Sequence, residues 1–216
     1  MPPTPPKIIH NETDLRAALN ALCAKSPDMR ELAKITGLPP LRLGKSGFEG
    51  LVSIIISQMV SIASADAIFK RFEQGFAHFD PAKVSAAPEA DLRAVGLSGP
   101  KIRAIQATAE AICSKKLDLE ELPSLSADAA HKRLCLIKGI GPWTADIYLM
   151  FGIGHADAFA AGDLALQEAA KVFLKLEARP SAKALETIAE DWRPCRAIAA
   201  RLLFAYYRVI KTSAPA

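Results

Sequence analysis

The sequence predicts an all-α fold, and three observations support this prediction. Apolar residues recur at spacings of three and four through most of the chain, as on one face of an α-helix. Segments with strand-like alternation between turn signals are hard to find. Proline and glycine stand at the starts and ends of the periodic segments, where helices tolerate them. We therefore expect roughly ten short helices in a compact architecture that is not a simple bundle.

The N-terminal helices are predicted from periodicity and from helix-breaking residues. Segment 11–24 places Leu15, Leu19 and Leu22 on one face. Segment 28–36 forms a second helix that Gly37 ends. Residues 41–47 read as a polar, basic connector.

The middle of the chain contains its most apolar stretch, residues 48–76. We expect two helices there, with a turn at 57–61 between the apolar halves. Pro81 and Pro88 open two short helices, and Pro100 begins a longer one to about residue 116.

The remaining helices follow Ser126, which reads as an N-cap. They are predicted over 126–137, 142–151, 163–175, 181–191 and 194–211.

The overall composition bounds the class of protein. Half of the 216 residues are apolar and 23% are charged, which is typical of a soluble globular protein. The net charge of +4 permits an anionic partner but excludes a polybasic tail. The four cysteines have no CxxC spacing, which excludes the usual zinc and iron–sulfur patterns and predicts reduced thiols. Without an apolar leader or a run of ~20 apolar residues, we predict a cytoplasmic location and no membrane contact.

The most informative segment is 134–146, which reads LCLIKGIGPWTAD. A helix ends there, Gly139 and Gly141 make a tight turn, and Pro142 opens the next helix. The exposed amides at such a helix start suit a phosphate oxygen. The pattern matches the helix-hairpin-helix element of DNA-binding proteins, whereas a Gly-x-Gly turn alone would be a common connector.

Four further segments resemble the helix-hairpin-helix DNA glycosylase superfamily, in the same order along the chain. They are FEGLVSIIISQMVS at 48–61, GLSGPKIR at 96–103, DAFAAGDLALQ at 157–167 and WRPCRA at 192–197. The second and fourth are similar to segments of its alkylated-base branch, the DNA-3-methyladenine glycosylase II enzymes. The resemblance covers about residues 10–210 and implies two helical lobes flanking a cleft. It implies one lobe at 44–155, a second at 7–43 plus 156–213, and a disordered tail at 1–6.

The resemblance implies that Asp163 is the catalytic carboxylate. A carboxylate beside the anomeric carbon can stabilise an oxocarbenium-like transition state or accept a proton from water. The alternative, compatible with this role, is that Asp163 only N-caps the helix after it. Asp157 and Asp146 are nearby carboxylates outside the matching position.

The resemblance also implies a monofunctional enzyme that leaves an abasic site. Relatives that cut the strand carry a lysine just before Thr144, and this chain has Trp143 there. Without that amine no Schiff base can form with the sugar.

The turn at 57–61 matches the segment that fills the duplex after a nucleotide is extruded. Met59 is the implied wedge, and Gln58 could hydrogen-bond to bases near the gap. The alternative for Met59 is that it packs in the core between two apolar helices.

An alkylated purine carries positive charge, which aromatic faces attract. Trp143 is the first candidate for a wall of the base pocket, with Tyr148, Phe48 and Trp192 as weaker candidates. The alternative for Trp143 is packing between helices.

The expected grip on the DNA backbone involves the hairpin, namely Lys138, Gly139, Gly141, Trp143 and Thr144. The resemblance implies no organic cofactor, and a structural Na⁺ or K⁺ on the carbonyls of Cys135, Ile137 and Gly139. After Asp191 the chain has no acidic residue, and its basic residues form either a solvated helix face or a DNA contact. They are Arg193, Arg196, Arg201, Arg208 and Lys211.

Two segments depart from the family pattern. Ala160 and Ala161 stand where many relatives place a proline, and Cys195 stands where an aromatic residue is frequent. The first departure concerns the rigidity of the loop and the second the width of the base pocket.

The expected activity is therefore hydrolysis of alkylated purines, of the 3-methyladenine type, from double-stranded DNA in base excision repair. The expected protein is a monomer, associated with the nucleoid if its source is a bacterium. Two alternatives are a non-catalytic helix-hairpin-helix DNA-binding module and a glycosylase for deaminated or mismatched bases.

Overall fold

The computed structural model describes residues 7–213, which form twelve α-helices and no β-strand. The predicted all-α class is confirmed. The helices are α1 Glu12–Lys25, α2 Pro27–Thr36, α3 Gly47–Ser57, α4 Ile62–Gly75, α5 Pro81–Ala86, α6 Glu89–Ala94, α7 Gly99–Cys113, α8 Ala127–Cys135, α9 Pro142–Ile147, α10 Leu164–Phe173, α11 Ala182–Ala189 and α12 Arg196–Ser213. The tail predicted at residues 1–6 lies outside this range.

The chain divides into two compact units. One is Gly44–Tyr148, and the other comprises the described residues of Met1–Leu43 and Leu149–Ala216. We refer to them as the middle unit and the terminal unit.

The middle unit is built around α3 and α7, which pack against each other. α4, α5 and α9 pack on this pair, and α8 packs on α9. The core is apolar and includes Phe72, whose ring lies 4.9 Å from that of Phe76 and 5.5 Å from that of Phe79. The apolar stretch that the sequence places at 48–76 thus supplies much of this core.

The terminal unit is organised around α12, which packs against α1, α2 and α10. Its buried face carries Ile198, Leu202 and Leu203, and α10 contributes Leu166. Because both chain ends contribute helices, this unit is discontinuous in sequence.

Side-chain caps set several helix starts where the sequence predicts them. Ser126 Oγ accepts a hydrogen bond from the Ala129 amide at 3.2 Å and begins α8. Several helix ends differ from prediction, two of them beside the hairpin. α8 ends at Cys135 rather than at 137, and α9 passes at Tyr148 into a π-helical turn, Tyr148–Ile153. π-Turns have no simple sequence signature, which is why periodicity predicted a continuous helix.

None of the helices in residues 7–213 combines the length and the apolar character needed to cross a lipid bilayer.

Candidate active site

The hairpin between α8 and α9 depends on a close approach of two backbones. Gly139 has φ +92°, and a Cβ there would lie 2.5 Å from the Ala104 Cβ and 2.8 Å from its Cα. Only glycine fits such a position without displacing α7. Gly141 has φ −86°, and a Cβ added there would meet no atom within 4 Å. The space beside its Cα is therefore open.

The hairpin has a buried side and an exposed side. Ile140 is buried at 3% exposure, as the sequence predicts for the residue between the two glycines. Lys138, Gly139 and Gly141 are exposed, and Leu136 is 79% exposed. The exposed side therefore presents a cation, an apolar side chain and backbone at one turn of the chain.

The turn between α3 and α4 presents Met59 to solvent. Met59 is fully exposed (101%) and has φ +55°, in the left-handed region. The core-packing alternative for this side chain is therefore wrong, while the wedge role stays a prediction.

A hydrogen bond joins this turn to the hairpin within the middle unit. Gln58 Nε2 donates to Thr144 Oγ1 at 2.8 Å. Thr144 is 3% exposed, so the structure gives its hydroxyl a bracing contact inside the protein. Since the partners lie 86 residues apart, no local sequence signal could have paired them.

Lys101 binds the C-terminal end of α3, just before the turn. Its Nζ donates to the Ile56 carbonyl at 2.7 Å. Burial lowers the pKa of this ammonium below its ordinary value. The contact satisfies a carbonyl of the last helical turn, which has no intrahelical donor.

A polar cluster behind the hairpin was not predicted. His131 Nδ1 lies 2.7 Å from Asp146 Oδ1, and Cys135 Sγ lies 3.4 Å from His131 Nε2. His131 lies within α8, and Cys135 is its last residue. Their spacing of four residues places both on one helix face. Burial, followed by the charge of Asp146, raises the pKa of the Cys135 thiol.

Asp163 stands at the start of α10 in the terminal unit. Its Oδ1 accepts hydrogen bonds from the amides of Ala165 at 2.9 Å and Leu166 at 3.3 Å. Asp163 is the N-cap of α10, as the sequence allowed, and the residue is partly exposed. The cap fixes the carboxylate in one orientation and places it at the positive end of the helix dipole.

Asp157, the nearby carboxylate of the same loop, is held by two arginines. Its Oδ2 lies 2.6 Å from Arg193 Nη1 and 3.1 Å from Arg196 Nη2. Arg196 also contacts Glu190 at 3.2 Å. Asp157 therefore serves as an anchor between the loop and the start of α12.

These contacts correct the interpretation of the basic C-terminal segment. Arg196 and Arg201 are buried at 4% exposure each, and Arg193 is ion-paired. The solvated positive face, one of the two alternatives for this segment, is therefore wrong for Arg196 and Arg201, while Arg193 is partly exposed.

Three of the four base-pocket candidates are buried within their own units. Trp192 packs edge-to-face on Phe159 at 5.8 Å, and Phe48 belongs to the core of the middle unit. Tyr148 is 1% exposed, and burial raises the pKa of its hydroxyl far above the ordinary value. Trp143 is partly exposed. The structure thus gives Phe48, Tyr148 and Trp192 packing roles, and Trp143 alone of the four keeps appreciable exposure.

Both departures from the family pattern lie in buried positions. Ala160 and Ala161 are buried, and Gln167 Nε2 donates to the Ala161 carbonyl at 2.9 Å. Cys195 is 1% exposed, and burial, followed by the charge of Asp157, raises the pKa of its thiol to about 11. The loop is therefore held by packing and hydrogen bonds rather than by a proline.

The hairpin carbonyls are of the kind that Na⁺ or K⁺ requires. The Cys135 carbonyl lies in the last turn of α8, where carbonyls lose their intrahelical donors, and those of Ile137 and Gly139 follow that turn. The Ile137 carbonyl accepts from the Ile140 amide at 3.0 Å and keeps a second lone pair. Oxygen ligands suit a hard cation, so the donor type fits, and the ion stays a prediction. Among residues 7–213 no group of three or more His, Cys, Asp or Glu side chains could hold a metal.

Sequence comparison finds related proteins over most of the chain. DNA-3-methyladenine glycosylase 1 of Schizosaccharomyces pombe is 30% identical over 164 residues, covering 74% of this chain and 72% of that protein. A DNA-3-methyladenine glycosylase of Bacillus subtilis is 25% identical over 189 residues, covering 82% of this chain. The chain spans 59% of the length of that protein and 57% of another B. subtilis relative, YfjP.

Solved structures are similar over a larger share. A DNA-3-methyladenine glycosidase from Bacillus halodurans has a TM-score of 0.82 at 30% identity, covering 91% of both chains. The S. pombe 3-methyladenine DNA glycosylase Mag1, in complex with abasic DNA, has a TM-score of 0.71 at 28% identity. That match covers 87% of this chain and 94% of Mag1.

The family profile matches residues 52–195, which include the turn with Met59, the hairpin and the loop that ends at Asp163. The match therefore covers two thirds of the chain. It includes Gly139, which the hairpin requires. The chain belongs to the HhH-GPD superfamily of base excision DNA repair proteins.

Proposed function

We propose that this protein is a monofunctional DNA glycosylase that hydrolyses the N-glycosidic bond of alkylated purines in double-stranded DNA. The observation that carries the proposal is the state of Asp163. The backbone amides of Ala165 and Leu166 orient this partly exposed carboxylate at the start of α10, at the position that the family resemblance implies for the catalytic residue. The family membership and the names of the relatives support the substrate class.

In this reaction the ionised Asp163 stabilises positive charge on the sugar as the base departs. The helix start favours the ionised carboxylate, because the dipole of α10 places positive potential there. Water then attacks the anomeric carbon, and Asp163 is the group suited to accept its proton. An alkylated purine is already cationic, so its departure needs little acid assistance.

Extrusion of the nucleotide leaves a gap that an exposed apolar side chain can fill. We assign this to Met59, whose turn is braced by the bond from Gln58 to Thr144. Lys138 and the amides near Gly139 and Gly141 would bind the backbone phosphates, and Na⁺ or K⁺ on the hairpin carbonyls would add positive charge there. Trp143 stands at the position of the lyase lysine, so the expected product is an abasic site. The expected state is a monomer, acting at the chromosomal DNA.

The decisive test is base release from methylated duplex DNA by the wild-type protein, Asp163→Asn and Asp191→Asn. Asparagine caps a helix as well as aspartate does, so Asp163→Asn should fold and bind DNA normally. The rate of base release by Asp163→Asn should fall by about 10²-fold or more, because general-base catalysis and electrostatic stabilisation each contribute rate factors of that size. Asp191 is exposed, so Asp191→Asn removes one carboxylate charge elsewhere and is the matched control.

Other outcomes of this test would contradict the catalytic role of Asp163 or indicate a different function. An active Asp163→Asn would overturn the catalytic assignment. Salt-dependent binding without release by the wild type would indicate a non-catalytic module. Release from deaminated but not methylated DNA would indicate the other glycosylase class, and a borohydride-trapped protein–DNA adduct would contradict the monofunctional mechanism.

A further inference from the structure

The terminal unit contains a pocket of about 240 Å³ that the proposed function does not use. It is bounded by the connector after α2, by the π-turn and by one face of α12. Its lining includes Pro40, Arg42, Phe151, Arg201, Phe204, Tyr207 and Arg208. We call it the Arg201 pocket.

The Arg201 pocket is positively charged. Arg42, Arg201 and Arg208 line it, and no acidic residue does. Arg201 is 4% exposed. Its Nη1 and Nη2 donate to the Arg42 carbonyl at 3.2 and 3.1 Å, and Nη2 also donates to the Met150 carbonyl at 3.0 Å. These acceptors are neutral, so they leave the charge of the guanidinium uncompensated.

One donor of this buried guanidinium has no partner. Arg201 Nε is the buried side-chain polar atom that lacks a hydrogen bond in the described part of the chain. A buried charge that is incompletely paired costs several kcal/mol, so such groups are usually matched by an anion. Burial, and to a smaller extent the nearby charge of Arg42, lowers the pKa of Arg201 to about 10.

The walls of the pocket are aromatic. The Arg201 guanidinium carbon lies 4.7 Å from the centroid of the Phe151 ring, and the Phe151 and Phe204 rings lie 6.3 Å apart. Tyr207 adds a third ring to the lining. Flat apolar surfaces of this kind bind a planar ring, while polar groups fix its orientation.

We propose that the Arg201 pocket binds a small organic anion that carries one planar ring. Its phosphate or carboxylate group pairs with the guanidinium groups of Arg201, Arg42 and Arg208, and its ring lies against Phe151, Phe204 and Tyr207. The volume is below the usual ~300–1,000 Å³ of drug-sized sites, which favours a single-ring ligand. A duplex backbone does not suit the site, because its phosphates lie on a broad cylinder and bind exposed cations, whereas Arg201 is 4% exposed.

The test uses phenyl phosphate as the probe, with binding measured by calorimetry and by ligand-observed NMR at low salt. Methyl phosphate lacks the ring and benzyl alcohol lacks the charge, so both should bind at least about tenfold more weakly. Phenyl carboxylate (benzoate) tests whether the anion must be a phosphate. The probe should also raise the Tm of the protein as its concentration rises, by mass action.

Variants locate the site. Arg201→Met should weaken phenyl phosphate binding by about tenfold or more, since a charge-assisted hydrogen bond is lost. Arg208 is an exposed residue of the same lining, so Arg208→Met should fold even if Arg201→Met does not. It should also weaken phenyl phosphate binding. Lys183→Met removes one exposed charge elsewhere in the terminal unit and should leave binding unchanged.

Three results would overturn the proposal. The first is no binding of either phenyl phosphate or benzoate to the folded wild-type protein. The second is binding that Arg201→Met and Arg208→Met leave intact. The third is displacement of the probe by undamaged duplex DNA together with a parallel loss of DNA affinity in Arg208→Met, which would make the pocket a DNA phosphate contact. Base release is not part of these readouts, so failure here leaves the proposed glycosylase activity untouched.

Discussion

At the scale of single residues, Met59 combines two features that are unusual for its type. It is an apolar residue with a fully exposed side chain, and it is a non-glycine residue with φ +55°. Each feature costs free energy in the isolated protein, because water contacts apolar surface and the left-handed backbone crowds Cβ. Unfavourable local structure of this kind is typical of positions kept for function.

Substitution of Met59 separates stability from activity. Met59→Gly should fold at least as stably as the wild type, because glycine adopts φ > 0 freely. Met59→Ala should change the free energy of unfolding by no more than about 0.5 kcal/mol. Both should lower single-turnover excision by about tenfold or more, since extrusion costs a few kcal/mol that the wedge partly offsets. Full excision by Met59→Gly would show that the wedge lies elsewhere.

At the scale of elements, the hairpin depends on its contact with α7 as well as on its own turn. The two glycines look equivalent in sequence, yet a Cβ at Gly139 would overlap Ala104, whereas a Cβ at Gly141 would meet nothing within 4 Å. The first glycine therefore serves packing, and the second leaves space on the exposed side.

Alanine substitutions should distinguish the two glycines. Gly139→Ala should lower the free energy of unfolding by about 2–4 kcal/mol, from overpacking against α7 and from a strained φ. Gly141→Ala should leave it within about 0.5 kcal/mol, while DNA affinity falls if a phosphate approaches that backbone. Chemical denaturation measures the first effect and fluorescence anisotropy the second. Equal stability losses for both variants would contradict the contact with Ala104.

The loop before α10 is the second element whose rigidity comes from contacts. The family resemblance implies a proline there, and this chain has Ala160 and Ala161. Arg193 and Arg196 bind Asp157 instead, so the ion pairs tie the loop to the start of α12.

Loss of the buried arginine should be costly. We expect Arg196→Met to lower the free energy of unfolding by about 3 kcal/mol, because Asp157 is left with incomplete charge compensation in a buried site. Arg93→Met breaks the exposed pair with Glu89 and should cost less than about 1 kcal/mol. Thermal and urea unfolding of both variants give the comparison. A small effect of Arg196→Met would mean that Arg193 alone holds the loop.

At the scale of the whole molecule, the small net charge of +4 acquires a clearer meaning. Several basic residues are used internally: Arg196 and Arg201 are buried, and Arg193 is paired. These three of the 27 Lys and Arg residues are therefore not available to bind phosphate, and neutral hairpin amides would supply part of the grip.

Salt dependence tests this distribution of charge. Each cation–phosphate contact contributes a slope of about −0.9 to a plot of log K against log salt, whereas amide contacts contribute little. We expect Lys138→Met to reduce the slope by about 0.9. Lys83→Met, an exposed cation of the same unit with the same loss of charge, should leave the slope unchanged. Equal changes in the two variants would indicate a diffuse field rather than a hairpin contact.

The sequence by itself determined the all-α class, most helix starts and the hairpin, because periodicity, caps and glycine turns are local properties. It also placed Asp163 at a helix start. Only the tertiary structure decided which side chains are buried: Phe48, Tyr148 and Trp192 proved to be packed, and Met59 exposed. It likewise joined Gln58 to Thr144 and the first helices to the last, since such contacts depend on residues far apart in the chain.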